Sequence, residues 1–487
     1  MNQGQKPMLE NKRPAFGIHW LTYLPVVLYF ILPNIFPFLL SRALGGVPHG
    51  YINLECLFIG AVGLFLPRGA LLAILGLESL LDFAYGICYT YKFSLAEFAS
   101  SMRYMAVLPR ERVIEGMIAL ALSAGACMVL GTIRTHRCRR FRTAILLTIC
   151  ALIPAGIDVF NGQNLLWHKD ATLASYRLVR SPALVIGLWE VSAYRVRAQT
   201  MNEDDRAVDS ASAHALSHLD GKAATAESPN IVLVLVESWG MMKDSHLAQL
   251  LVTGYDDPRI ASRYTVLRGA VPFTGLTVPG ESRELCHLSA GFGIMNAPAE
   301  LAKQCLPAHF HDRGYQNIAI HGYTGQMFSR DNWYPKLGFD QMWFEPELTH
   351  AGLPSCDGAF PGICDASIGG WIGSSLLSGQ EARPRFIYWV TLNSHIPVPA
   401  RLDLPEDGTC ASEPALANSP PLCSWFRLVR NVHESAEKIA MQSNARPTIF
   451  VVVGDHAPPF SKPERRNAFS GAEVPYLILI PKAIQRR

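Results

Sequence analysis

Four short polar clusters in the second half of the chain each follow an unbroken apolar run. Glu237-Ser238-Trp239 follows 231–236 and His321-Gly322-Tyr323 follows 317–320. Asn393-Ser394-His395 follows 386–392, and Gly454-Asp455-His456 follows 448–453. A lone Glu or His at the end of a strand is usually a cap or a satisfied turn. Four such clusters on successive strands say more, because in an open α/β sheet the carboxyl ends of the strands face one crevice. Carboxylate and imidazole together hold a divalent transition metal well. Glu237, Asp455 and His456 are therefore the expected metal ligands.

The elements that must position these residues are legible around them. The four runs are continuous and rich in β-branched residues, which marks strands covered on both faces in a parallel sheet. A further strand is expected at 476–480. Helical stretches at 283–290, 299–313, 366–378 and 427–442 alternate with the strands. The alternation predicts an α/β domain over 229–487, with a mostly parallel central sheet and helices on both faces.

The first third of the chain is different. Apolar runs near 18–40, 50–66, 69–91, 112–132 and 143–160 are each close to the ~20 residues that cross a bilayer core. They predict a five-span α-helical membrane domain over 1–160. The first run is too long for a cleaved signal peptide. Arg134, Arg137, Arg139, Arg140 and Arg142 place the loop between the fourth and fifth spans in the cytoplasm, and Lys6, Lys12 and Arg13 place the N-terminus there too. The C-terminal domain then lies outside. Lys92, Arg103 and Arg110, in the loop 92–111, run mildly against this orientation. Glu78 and Asp82 share one face of the third span. Acids at such depth are costly, so they either serve function or contact another span or Arg68. Residues 161–200 mix aromatic and basic side chains as interfacial helices do, and 201–228 reads as a polar, mobile linker.

Net charge is only +3 over 487 residues, so no nucleic-acid partner is expected. Of the eleven cysteines, Cys56, Cys88, Cys127, Cys138 and Cys150 lie in or beside apolar segments, where cysteine acts as a small hydrophobe. Cys286, Cys305, Cys356, Cys364, Cys410 and Cys423 form an even set in the second half, which fits disulfides in an oxidising compartment. The pairs 356/364 and 410/423 read as loop staples, with 286/305 completing the set. No Cys-x-x-Cys occurs, which argues against a structural zinc site.

Taken together, the spans, the segment Thr274-Gly-Leu-Thr277-Val-Pro-Gly-Glu-Ser282-Arg-Glu-Leu-Cys286 and the Gly454-Asp455-His456 motif resemble the alkaline-phosphatase superfamily. The likeness is to its sulfatase-like, membrane-bound headgroup transferases: lipoteichoic acid synthases, phosphoethanolamine transferases and phosphoglycerol transferases of periplasmic glucans. The resemblance implies a Thr nucleophile at a helix N-terminus, forty residues after Glu237, and Thr277 holds that position. Thr274 and Ser282 are its rivals, and capping the helix is the alternative role for Thr277. A single-metal ligand set of Glu237, Thr277, Asp455 and His456 is implied, taking one divalent ion (Mn, Zn or Mg). His395 and His321 are implied as proton donor or acceptor. Arg330, Trp333 and Ser282 are implied at the substrate, with Asp331 or Asp340 as alternative partners for Arg330 and the core for Trp333. Sulfate-ester hydrolysis is disfavoured, because Thr277 and Glu281 stand where sulfatases place a Cys or Ser and an Arg. The tail after His456 has no further His for a second metal. Transfer of phosphoglycerol or phosphoethanolamine is expected, from a membrane phospholipid donor to an envelope glycan or lipid acceptor. A tethered phosphodiesterase or phosphatase, and a non-catalytic membrane scaffold, are the competing readings. The implied location is the bacterial inner membrane, with the catalytic domain extracytoplasmic.

Overall fold

The computed structural model describes residues 23–43, 50–91, 98–99, 101–133, 139–161, 178–185, 207–217, 228–379, 383–399, 402, 404–405, 408–442, 446–460 and 462–485. Cys138 and most of the expected interfacial stretch 161–200 lie outside these residues.

Five N-terminal helices sit where the five apolar runs fall: α1 (Leu24–Ala43), α2 (Leu54–Gly63), α3 (Arg68–Tyr91), α4 (Arg110–Thr132) and α5 (Arg140–Phe160). Only three apolar segments among the described residues are long enough to cross a membrane: Arg68–Cys88, Val113–Thr132 and Arg140–Phe160. The ten residues of α2 rise only about 15 Å, half a bilayer core. Among the described residues, length therefore supports three of the five expected spans. Leu57, Leu75, Leu130 and Leu147 close the core of this bundle. Apolar side chains such as Met117 and Ile118 face outward, as a lipid-facing surface requires.

The two acids of α3 have partners, though not Arg68. Asp82 accepts from Nε and Nη2 of Arg180, both at 2.7 Å. Arg180 also donates to the carbonyls of Gly50 and Pro33. Glu78 accepts from Asn53 Nδ2 at 2.9 Å. Val179–Arg180 pairs in parallel with Ile52–Asn53, so this buried ion pair ties the segment after α5 back onto the bundle. That gives the acids structural work.

The C-terminal domain is built on seven strands: β1 (Asn230–Val236), β2 (Tyr264–Pro272), β3 (Gln316–His321), β4 (Gln341–Trp343), β5 (Arg385–Val390), β6 (Thr448–Gly454) and β7 (Glu473–Pro481). Their order is β2-β7-β6-β1-β5-β3-β4. From β6 to β4 all neighbours are parallel, and β7 pairs antiparallel with both β6 and β2. Every residue of β1 is buried, which explains its unbroken apolar run. Alternation sends Val232, Val234 and Val236 to one core and Ile231, Leu233 and Leu235 to the other. Each side chain so buried contributes about 1.5–3 kcal/mol. Register then aligns the strand ends: Val236 is level with Gly454, and Val390 with Leu235 and His321.

Three local differences from expectation matter. The helix expected at 283–290 starts earlier, as α7 (Thr277–Cys286), and stops where His287 turns left-handed at φ 56°. The stretch 299–313 is two short helices, Ala299–Ala302 and Leu306–Asp312, broken at Cys305. Part of the expected linker is ordered against the domain as α6 (Ala211–Leu216). Ser212 N–H donates to Glu284, and Ser210 Oγ bonds His287 Nδ1. The three disulfides pair as expected: Cys286–Cys305, Cys356–Cys364 and Cys410–Cys423.

Candidate metal centre and active site

The aligned ends of β1 and β6 bring Glu237, Asp455 and His456 together. All three are buried, and one ligand atom of each lies within 4.8 Å of the others. Two features of the backbone allow this. Ser238 adopts φ 55°, which turns its N–H onto Asp455 Oδ1 at 2.7 Å. Such a left-handed conformation is costly for a residue with a Cβ. Gly454 passes so close to the Trp239 carbonyl that a Cβ there would overlap it.

Thr277 is the first residue of α7, and its hydroxyl donates to Glu237 Oε2 at 3.0 Å. It therefore joins the cluster at a helix N-terminus, where unpaired N–H groups favour anions. Gly280, one turn on, lets α7 lie against Asp455: an added Cβ would be 3.0 Å from the Asp455 Cβ.

The charges of the cluster do not balance by themselves. Asp455 Oδ1 accepts from the N–H groups of Ser238 and His456, while Oδ2 is buried without a hydrogen bond, 3.4 Å from His456 Nε2. Burial and the neighbouring Glu237 push the Asp455 carboxyl up to about 8. Burial opposes the charge of Glu237 too, but His395, His456 and the Ser238 hydroxyl outweigh it and hold that carboxyl below its usual range. Burial would lower His456, yet Asp455 and Glu237 raise it to about 9. An orphaned carboxylate oxygen facing a second carboxylate and an imidazole is a donor set that fits a divalent cation.

The three histidines at the strand ends share one arrangement. His321 Nδ1 lies 3.0 Å from the Val390 carbonyl, His395 Nδ1 2.8 Å from that of Ile396, and His456 Nδ1 3.0 Å from that of Ala457. A carbonyl partner fixes the proton on Nδ1 and leaves Nε2 for ligand or proton. Burial first, then Arg330, lowers His321 to about 3, so its imidazole is neutral.

Other expected residues are occupied elsewhere. Ser282 is buried and donates to the Leu288 carbonyl. Arg330, 2% exposed, is not partnered with Asp331 or Asp340 but donates from Nε and Nη2 to Glu281 at 3.1 and 2.7 Å. Tyr334 donates to the other oxygen of Glu281. Trp333 is in the core and donates to the Phe328 carbonyl. The structure brings Glu237, Thr277, Asp455 and His456 into one cluster and gives Ser282, Arg330 and Trp333 internal partners.

Comparison with known families follows the same boundary. The sulfatase family model matches residues 229–487, more than half of the chain. The chain belongs to the sulfatase family. Among solved structures, the chain is similar to a protein of the alkaline phosphatase superfamily from Vibrio parahaemolyticus, at 17% identity over 61% of this chain and 68% of that one, with a TM-score of 0.37. It is similar to the phosphoglycerol transferase GacH of Streptococcus pyogenes, solved with sn-glycerol-1-phosphate, at 16% identity, 55% and 72% coverage and a TM-score of 0.37. It is also similar to the lipoteichoic acid synthase LtaP of Listeria monocytogenes, at 13% identity, 54% and 67% coverage and a TM-score of 0.35. No curated protein matches.

Several residues that support the candidate site were given no role by the sequence. Arg283 donates to the carbonyls of Gly454, Asp455 and Pro272, clamping the turn that presents two ligands. Asp365 accepts the N–H groups of Leu392 and Asn393, shaping the loop before His395, and burial raises it to about 7. Ser394 Oγ donates to the Glu237 carbonyl and Thr391 Oγ1 accepts the Glu237 N–H. All four act through backbone, which no spacing rule reveals.

Proposed function

We propose that this protein transfers a phospholipid headgroup, phosphoglycerol or phosphoethanolamine, to a hydroxyl of an envelope glycan or lipid through a covalent intermediate on Thr277. The observation that carries the reading is the Thr277 hydroxyl, 3.0 Å from Glu237 Oε2, at the head of α7 within the cation-fitting cluster. Three apolar helices long enough to cross a membrane support a donor drawn from the bilayer.

A divalent ion held by Glu237, Asp455, His456 and Thr277 would stabilise negative charge on the hydroxyl oxygen and on phosphate. Thr277 Oγ attacks phosphorus, and its proton leaves along the hydrogen bond toward Glu237. The new Oγ–P bond forms as the bond to the glycerol oxygen of diacylglycerol breaks. His395, protonated at Nε2, gives that oxygen its proton. In the second half, the acceptor hydroxyl loses its proton to His395 and attacks phosphorus, and the Oγ–P bond breaks as Thr277 Oγ takes its proton back from Glu237. His321, neutral and buried, offers Nε2 as an alternative acceptor for the proton of the acceptor hydroxyl. Location in the bacterial inner membrane with the domain extracytoplasmic belongs to this proposal, and three disulfides support export.

The test is mass spectrometry of the protein quenched with phospholipid donor. A phosphoglycerol or phosphoethanolamine increment on the Thr277 peptide, lost in Thr277→Ala together with turnover, is the expected result. A bare phosphate increment would indicate a phosphatase. Full activity in Thr277→Ala would sink the proposal.

A further inference from the structure

The segment between α3 and α4 makes a 3-10 turn, Met102–Val107, that packs on the catalytic domain. Tyr104 is its inserted residue: it is 7% exposed, against 45% for Met102 and 37% for Met105. Its hydroxyl lies 3.2 Å from Ser329 Oγ and 3.9 Å from Met295 Sδ, and its ring meets Phe328 edge-on at 5.6 Å. Phe328 and Ser329 are both left-handed, at φ 56° and 51°. Such conformations persist only where surroundings hold them, and the Tyr104 ring and hydroxyl are part of what holds them.

A second contact leads from this turn to the chemistry. Tyr323 OH donates to the Val107 carbonyl at 2.5 Å. The Tyr323 ring packs against Phe360 at 5.4 Å, and Phe360 stands perpendicular to the His395 imidazole at 4.7 Å. Leu392, three residues before His395, is buried in the same small cluster as Tyr104 and Tyr323. Tyr323 itself lies two residues beyond His321 on the loop that leaves β3.

We infer that the inter-helix turn Met102–Val107 is part of the active site, with Tyr104 and Val107 acting as positioning residues for His395 through Tyr323 and Phe360. Phe360 limits the tilt of the imidazole, and Tyr323, anchored on the Val107 carbonyl, limits Phe360. Only Leu108 and Pro109 separate the turn from α4, so the domain is fully assembled only when seated on its own membrane part. The inference rests on the proposed reaction only in giving His395 a proton to move.

The experiment uses the full chain in lipid nanodiscs. Tyr323→Phe keeps the ring and removes the bond to Val107, while Tyr104→Ala removes the inserted side chain. Each is expected to lower kcat on bis(4-nitrophenyl) phosphate about tenfold, with KM changed less than twofold, whatever the natural donor. Tyr104→Phe, which keeps the ring against Phe328, should recover most of the loss seen in Tyr104→Ala. A photo-crosslinking p-benzoylphenylalanine at position 104 should attach to the peptide that carries Met327 and Phe328. Absence of that cross-link, or kcat within twofold of the parent in both Tyr323→Phe and Tyr104→Ala, overturns the inference. A cross-link and a kcat loss without any lipid-headgroup adduct would leave this inference standing and remove the proposed transfer.

Discussion

Arg330 separates two readings that a sequence cannot. The family resemblance implies a place for it at the substrate, yet its guanidinium is buried against Glu281, with Tyr334 completing the carboxylate. Breaking a buried ion pair from one side strands the other charge and costs about 3–5 kcal/mol. Arg330→Gln should therefore lower unfolding free energy by that amount in urea melts. Unchanged stability with a raised KM would return Arg330 to the substrate. The buried histidines make a second residue-scale prediction. His433 is fully buried, its Nδ1 3.3 Å from the Tyr255 hydroxyl and its ring edge-on to Trp239, and burial lowers it to about 3. His321 is lowered likewise. A group with a depressed pKa favours its deprotonated form in the fold. Its contribution is complete above the unfolded value near 6.5 and is lost as pH falls from there toward 3. Each such His steepens the decline by about 1.4 kcal/mol per pH unit. His433→Gln should flatten the loss between about pH 6.5 and 4.5, read from urea melts across that range. An unchanged slope would mean His433 is already charged when folded.

At the scale of elements, the site is a matter of strand ends held in register and one helix brought up to them. The strands were legible because burial on both faces demands unbroken apolar runs, as all seven buried residues of β1 show. The disulfide pairs followed from proximity in sequence, and the cluster of Glu237, Asp455 and His456 from their shared strand-end position. Helix α7 was harder. Its start at Thr277 depends on Gly275 and Gly280 permitting close approach, and no apolar periodicity marks it. Arg283 was invisible for a related reason: beyond its ion pair with the adjacent Glu284, it reaches the site through the carbonyls of Pro272, Gly454 and Asp455, which have no side-chain signature. That fork joins α7 to the turn after β6 and so holds Thr277, Asp455 and His456 in one frame. Lys offers a point charge and no fork. Arg283→Lys should weaken manganese or zinc binding roughly 10–100-fold, as loss of outer-shell support does, while the fold survives. Titration calorimetry on the apo protein reads this directly, and unchanged affinity would show that α7 and the β6 turn hold together without it.

For the whole molecule, the question is which side of the membrane the catalytic domain occupies. In the orientation we propose, the cluster of arginines from 134 to 142 lies on the cytoplasmic side. Loop 92–111 is basic as well and pulled the other way in the sequence. Contacts within the fold couple the two: Tyr104 and Val107 of that loop pack on Ser329 and Tyr323, so loop and domain share a side of any membrane that α3 and α4 cross. One crossing by α4 then separates them from the arginine cluster. Three disulfides in the domain agree with an oxidising exterior. A membrane-impermeant maleimide should therefore label Ser375→Cys, an exposed position on the domain, in intact cells. Arg137→Cys should be labelled only after lysis. The reverse pattern would place the domain in the cytoplasm, where the disulfides would not persist and an extracytoplasmic acceptor would be out of reach.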